Sequence, residues 1–300
     1  MKGVDVDQLP FVSIIVPVYN EEENIRKCIR VLLNQSYPRS QYEILIVDGN
    51  SSDNTQCVVR EYPVKLLVED KRSSYAARNM GIHNAKGEIL AFTDADAIVS
   101  YNWLQEGVNS IIKNNADYVG CQVKLYTKDE VLTYWDLYDI NIAFDVAELI
   151  KIKGFAPTVG LFVKRSLIEQ VGMFDPRLVS CGDAEFGDRV REAGFKQFYA
   201  EKAVVYHPTR STLKDQIERA LRIGQGKFQL SVYYPERYGK PISNLLNPLE
   251  IFPFRALAHK RKLSKIFSLY NISPIAYTIR LFEIVGKYAA FVYAKNNNLN

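Results

Sequence analysis

Between residues 11 and 115, short apolar runs alternate with stretches of helical periodicity, and this alternation constrains the fold more than anything else in the chain. The runs 12–19 (VSIIVPVY), 42–48 (YEILIVD), 64–69 and 88–93 (EILAFT) read as strands. Between them, 24–35, 54–62 and 74–84 read as helices; in the first of these Ile25, Cys28, Ile29, Leu32 and Leu33 recur at helical spacing. Strands separated by helices of this length imply βαβ units and a parallel sheet covered on both faces. The expected fold class is therefore α/β, with a mostly parallel central sheet flanked by helices.

Beyond residue 115 the alternation loosens. Residues 118–126 and 157–164 read as strands around a helix at 132–150. A Gly- and Asp-rich loop at 182–185 leads into a helix carrying Phe186, Val190 and Ala193. A strand within 196–207 and an amphipathic helix at 213–230 follow. With 300 residues, 47% of them hydrophobic, the chain can bury one large core or two domains. Its 19 Tyr and 15 Phe argue against disorder, and a net charge of +4 does not by itself suggest a nucleic-acid binder. The four cysteines, 28, 57, 121 and 181, show no CxxC spacing. They read as reduced core residues rather than a zinc site. The N-terminus lacks a charged-then-apolar signal pattern, and no run of 18 uncharged apolar residues occurs.

Open parallel sheets bind ligands beyond the carboxyl ends of their strands. Here those ends are acidic: Asn20-Glu21-Glu22 after the first strand, Asp48 to Asp53 after the second, and Asp94-Ala95-Asp96 after the fourth. Capping of the following helices explains one such cluster, but three at consecutive strand ends point to a site. Two carboxylates one residue apart can face a single divalent cation, Mn2+ or Mg2+, and leave positions for phosphate oxygens. His207, at the end of a later strand, can add a nitrogen ligand, which would favour Mn2+, or can serve as a hydrogen-bonded strand-end histidine.

The runs FVSIIVPVYNEEENI, ILIVDGNSSDNT, AARNMGI and GEILAFTDAD, in this order, resemble glycosyltransferase family 2 across about residues 11–230. The resemblance implies a GT-A fold and an inverting, metal-dependent hexosyltransferase that uses a nucleotide-sugar. It places Pro17, Tyr19 and Glu21 along the nucleotide and Asp48 at the base, with Asp53 supporting that loop. Arg78 falls near the diphosphate, and Asp94 and Asp96 are the ribose- and metal-binding pair. Of the acidic pair that precedes a helix in the family, Gly182 stands at the first position and Asp183 at the second. Asp183 is assigned as general base, with Glu185 next in line; a helix-capping role for Asp183 is compatible with this. Gln216-Ile217-Glu218-Arg219 partly matches the Gln-x-x-Arg-Trp motif of processive members, but Ala220 replaces the tryptophan, which argues against polymer synthesis. Arg219 or Arg222 can neutralise the leaving diphosphate, or Arg222 can simply sit on an exposed helix face.

The expected organisation is a catalytic domain over 1–230, split into a nucleotide-sugar half at about 11–115 and an acceptor half at 116–230. A helical tail follows over 231–300. In the tail, Arg255, Lys260, Arg261, Lys262 and Lys265 interleave with Leu257, Leu263 and Ile266, a basic amphipathic pattern. Residues 274–293 carry only Arg280, Glu283 and Lys287 as charges, along one stripe. This tail can pack on the catalytic domain, lie in a membrane interface, or span the bilayer as one short helix. Basic residues beside an apolar helix suit anionic headgroups, so the favoured placement is the cytoplasmic face of the cell membrane. The acceptor is then expected to be lipid-linked, and self-association through the C-terminal helices is compatible with the pattern. Resemblance to lipid-pathway mannosyltransferases favours mannose from GDP-mannose among the donors. The competing function is a catalytically silent nucleotide-sugar-binding or scaffold protein. A dinucleotide oxidoreductase is disfavoured because no GxGxxG follows the first strand.

Overall fold

The structure, a computed structural model, describes residues 9–142, 145–240 and 273–296. Strands β1 (Val12–Val18), β2 (Tyr42–Asp48), β3 (Lys65–Val68) and β4 (Ile89–Phe92) alternate with helices α1 (Glu22–Leu33), α2 (Thr55–Arg60) and α3 (Ser74–Asn84). The strands lie side by side in the order β3-β2-β1-β4, all parallel. Both faces of β1 are covered: Val12, Ser13, Ile14, Ile15 and Val16 are wholly buried. Helix α1 buries the expected Ile25, Cys28, Ile29 and Leu32.

The rest of the sheet is not a continuation of this pattern. The further elements are β5 (Ile98–Val99), α4 (Trp103–Asn114), β6 (Tyr118–Tyr126), α5 (Tyr134–Ile142), α6 (Val146–Glu148), β7 (Leu161–Lys164), α7 (Arg165–Val171), α8 (Gly182–Glu192), β8 (Gln197–Pro208), α9 (Leu213–Tyr233), α10 (Pro235–Tyr238) and α11 (Ser273–Asn296). The complete order is β3-β2-β1-β4-β7-β6-β8-β5. Strand β7 is antiparallel to both β4 and β6, β8 is parallel to β6, and β5 is antiparallel to β8. Four pairings are thus parallel and three antiparallel.

Several expectations from periodicity needed revision. The helix expected at 132–150 is interrupted. It stops at Ile142 and restarts where the Asp145 side chain caps the amide of Glu148; a π turn over Leu149–Lys153 follows α6. The strand expected at 157–164 begins as a 3-10 turn, Thr158–Gly160, and only its second half pairs. Helices α4 and α7 were not anticipated, although Trp103, Leu104, Val108 and Ile111 of α4 have helical spacing and are buried. Cys28 and Cys121 are core residues, but Cys57 is exposed on α2 and Cys181 is half-buried.

The chain divides into two compact units. The first comprises Met1–Tyr126, Phe144–Arg177 and Gly182–Pro208; the second comprises Thr127–Ala143, Leu178–Cys181 and Thr209–Asn300. The core of the first unit packs the apolar faces of α1 and α4 on the sheet, with Trp103 against Phe162 at a ring separation of 4.8 Å. In the second unit α9 belongs with the tail rather than ending a separate domain near 230. A β-carbon on Gly224 would stand 1.9 Å from the Glu283 carbonyl oxygen, and one on Gly286 would stand 2.3 Å from that of Leu221. Glycine at both places lets α9 and α11 touch backbone to backbone. Tyr138, Ala220 and Ile279 form the local core, with Tyr134, Trp135, Ile142, Ile217 and Phe282 packed around it. The basic segment at 255–265 lies outside the described residues.

Candidate active site

The carboxyl ends of β1, β2 and β4 share one edge of the sheet because these strands are parallel neighbours. Register then sets their depths. Val18 lies opposite Asp48, so β1 and β2 end level, whereas β4 ends at Phe92, opposite Ile15. The early stop of β4 leaves room for the turn through Asp94 and Asp96. The chain next enters β5, where Ile98 faces Tyr206 of β8 in antiparallel register. Residues just before Ile98 therefore run beside those just after Tyr206, which brings Asp96 to His207.

One ligand atom each from Asp94, Asp96 and His207 lies within 4.8 Å of the others, and all three side chains are half-buried. His207 Nε2 is 3.6 Å from Asp96 Oδ2. His207 Nδ1 lies 2.8 Å from the Pro208 carbonyl oxygen. A carbonyl can only accept, so Nδ1 carries a proton, which leaves Nε2 as the atom on the carboxylate side that can ligate a cation. Neutral imidazole with a fixed tautomer beside two carboxylates is a donor set suited to a divalent cation.

Arg78, on α3, is 4% exposed, and its Nη2 donates to Asp94 Oδ1 at 2.6 Å. Its Nε is buried without a hydrogen-bond partner. On the same face of α3, Tyr75 lies under the Arg78 guanidinium, 5.8 Å from ring centroid to Cζ. The Tyr75 hydroxyl accepts from the amide of Gly182, the first residue of α8, at 2.8 Å. A β-carbon on Gly182 would stand 2.6 Å from Tyr75 Cζ, so no side chain fits there. Tyr75 sits next to the AARN run yet carried no sequence signal of its own.

Asp183 is the second residue of α8, and its Oδ1 accepts from the Ala184 amide at 3.0 Å. Burial pushes its carboxyl above the ordinary aspartate value, and Asp94 adds to the rise; the Ala184 amide and Arg78 oppose it. A carboxyl raised in this way holds a proton more readily than a solvent-exposed one, the property wanted in an acid–base group. Glu185 is unsuited to the same task. It is wholly buried, and both its oxygens are bound by Arg189, at 2.7 and 2.9 Å.

The remaining expected residues occupy three settings. Glu21 precedes α1; its amide donates to Thr55 Oγ1 and its carboxylate accepts from Asn24. Asp53 accepts from the amides of Thr55 and Glu22, tying the loop after β2 to the start of α1. Asp48 is wholly buried, with oxygens taken by the Ser51 amide and hydroxyl and by Gln56 Nε2. Pro17 lies within β1, and Tyr19 just past its end is 42% exposed with the Arg72 guanidinium over its ring at 5.2 Å. Arg219 belongs to the second unit, where its Nη1 faces Asp139 at 3.7 Å. Arg222, also on α9, is exposed.

Comparison with known proteins gives this edge its context. Residues 13–172, more than half of the chain, match the family model for glycosyl transferase family 2. Glycosyltransferase AglE of Haloferax volcanii is 38% identical over 228 residues, 74% of each protein. A Methanococcus voltae protein, dolichyl N-acetyl-alpha-D-glucosaminyl phosphate 3-beta-D-2,3-diacetamido-2,3-dideoxy-beta-D-glucuronosyltransferase, is 28% identical over 240 residues, 72% of this chain and 73% of its own. The structure of the mannosyltransferase PcManGT from Pyrobaculum calidifontis, in complex with GDP-Man and Mn2+, has a TM-score of 0.66 at 23% identity, covering 96% of this chain and 88% of that one. The mixed sheet with its flanking helices is the GT-A fold, carrying a C-terminal helical extension. An acidic edge of this kind on that fold, together with the family match, shows that the chain is a nucleotide-sugar glycosyltransferase belonging to glycosyl transferase family 2.

Proposed function

We propose that the chain is a metal-dependent, inverting hexosyltransferase that moves mannose from GDP-mannose to a lipid-linked acceptor at the cytoplasmic face of a membrane. The observation that carries the reading is the convergence of Asp94, Asp96 and His207. Three ligand atoms so close together, with Arg78 bonded to Asp94, suit a divalent cation, and Mn2+ fits the imidazole. Such a cation, when bound, supplies positive charge against the diphosphate as it leaves. PcManGT, which shares the fold, was solved with GDP-Man and Mn2+, and this supports the choice of donor and ion. The printed activity of the Methanococcus voltae relative, on a dolichyl phosphate-linked sugar, supports the acceptor class.

In this reading Pro17, Tyr19 and Glu21 line the nucleotide. Asp48 and Asp53 act one step back: their oxygens already hold the loop after β2, so they shape the base pocket rather than read the base directly. Arg78 anchors Asp94 and sets its guanidinium charge near the diphosphate. Asp183 takes the proton from the acceptor hydroxyl as that oxygen attacks the anomeric carbon from the face opposite the leaving group. One displacement inverts the configuration. Arg219 neutralises the leaving diphosphate only if it separates from Asp139, and its close approach to that carboxylate supports a structural role instead.

A thermal-shift panel of GDP-mannose, UDP-glucose and UDP-N-acetylglucosamine, each with Mn2+ and with chelator, tests the donor and the metal together. GDP-mannose should stabilise the protein most, and only with Mn2+. Asp96→Ala should abolish that shift, and an unchanged Mn2+-dependent affinity by calorimetry would remove Asp96 from the site. A larger shift with a UDP-sugar would replace the donor.

A further inference from the structure

Helix α11 turns charged residues inward beside its core residues Ile279 and Phe282. Its three charged residues within 274–293, Arg280, Glu283 and Lys287, face the protein at 27%, 13% and 5% exposure. Glu283 pairs with both Lys227 of α9 and Arg280. The opposite arc is apolar and open: Leu281, Val285, Tyr288 and Val292 form one stripe at spacings of four, three and four, and Tyr293 borders it. These five side chains are 37–66% exposed. A helix against water normally shows the reverse, apolar residues inward and charges outward. An exposed apolar face of this length marks a contact with something apolar.

We infer that this stripe lies on an anionic lipid surface, with α11 in the plane of the interface. Three observations favour lipid over a second copy of the chain. Two tyrosines stand on or beside the stripe, and their rings suit the boundary between headgroup and hydrocarbon. The chain just before α11 carries Arg255, Lys260, Arg261, Lys262 and Lys265, a charge complement to anionic headgroups. Arg280, Glu283 and Lys287 are turned away from the stripe, whereas rims of interfaces between soluble copies are polar. Among the described residues no helix is long and apolar enough to cross a membrane, which fits a helix lying on the surface. The inference deepens the proposed use of a lipid-linked acceptor by naming the surface that meets the bilayer.

The test is vesicle flotation of the full chain and of the double variant Val285→Glu/Tyr288→Glu. Both positions are more than half exposed, and Tyr288 gives up a ring contact with Phe291. The full chain should float with vesicles of phosphatidylglycerol and phosphatidylcholine, and at least tenfold less with phosphatidylcholine alone. The double variant should lose at least tenfold of its binding to the anionic vesicles, while its melting temperature, oligomeric state and Mn2+-dependent nucleotide binding stay unchanged. Undiminished flotation of the variant overturns the inference. So does a full chain that fails to float and sediments as a dimer which the variant dissociates, since a second copy then covers the stripe. Flotation requires neither donor turnover nor acceptor, so the transferase reading can fail while this surface stands, and the reverse.

Discussion

Both units of the molecule gather carboxylates, and they treat them in opposite ways. In the second unit Asp136 accepts from the Thr133 amide and from the hydroxyls of Thr133, Thr209 and Ser211. Burial works against its charge, but these donors outweigh it and hold the carboxyl down at about 2. Asp139 accepts from the Arg210 amide and lies between the guanidiniums of Arg210 and Arg219. Burial and the neighbouring Arg210 both weaken the hold of Arg219 on its proton, and Asp139 compensates. In the first unit Asp94, Asp96 and His207 converge, and the Arg78 guanidinium is bonded to Asp94. Like charges brought this close are unfavourable unless a cation joins them. Asp136 and Asp139 are held by donors of their own unit; Asp94 and Asp96 crowd together at a strand edge, the arrangement that the proposed cation would relieve.

The sharpest way to break this contrast is at Asp183. Asparagine keeps the shape and the bond to the Ala184 amide but cannot take a proton. Transfer by Asp183→Asn should fall by about 10² to 10⁴, the usual span for loss of an acid–base group, with GDP-mannose affinity unchanged. The folded state raises this carboxyl, so it favours folding while protonated, and that contribution is lost as pH rises through the raised value. At pH 7 the variant should therefore melt at a higher temperature than the parent. Near-normal turnover would place the base elsewhere, and not at Glu185, which Arg189 already occupies.

Asp139→Ala probes the other side of the comparison. Removing one partner of a buried charge cluster leaves the arginines uncompensated and should cost about 3 kcal/mol of stability in urea. Mn2+-dependent nucleotide affinity should survive, because the donor residues belong to the first unit. If instead affinity rises, Arg219 has been released to serve the diphosphate, and the structural role argued for it fails.

The smallest expected effect is at Tyr75. Tyr75→Phe keeps the ring stacked on Phe174 but removes the acceptor of the Gly182 amide. Losing one such hydrogen bond is worth about 1 kcal/mol, and kcat should drop by roughly tenfold if the start of α8 shifts. The donor KM should hold, since the phenylalanine ring still lies under Arg78 and only the bond to α8 is lost. A raised KM with normal kcat would show that Tyr75 serves the donor instead.

These tests also separate what could be read in advance from what could not. Strands β1, β2 and β4 were legible because burial on both faces leaves uninterrupted apolar runs, and α1 because its buried positions keep a 3.6-residue period. The Asp94-Ala95-Asp96 turn was legible because it directly follows such a run. The break between α5 and α6 was not, because Leu132 to Ile150 keeps an apolar character through it. The tail reads as mostly apolar with one charged stripe, yet periodicity alone does not say which face turns inward.

The sequence alone determined the parallel half of the sheet and the acidic residues at its strand ends, because local spacing dictates both. Only tertiary structure decided that His207 meets Asp96. They are 111 positions apart in the chain, and the antiparallel register of Ile98 with Tyr206 joins them. It likewise decided that Tyr75 fills the space beside Gly182, and that α11 turns Arg280, Glu283 and Lys287 inward, where two glycines bring its backbone into contact with that of α9. Such pairings depend on which surfaces pack together, and no local pattern encodes them.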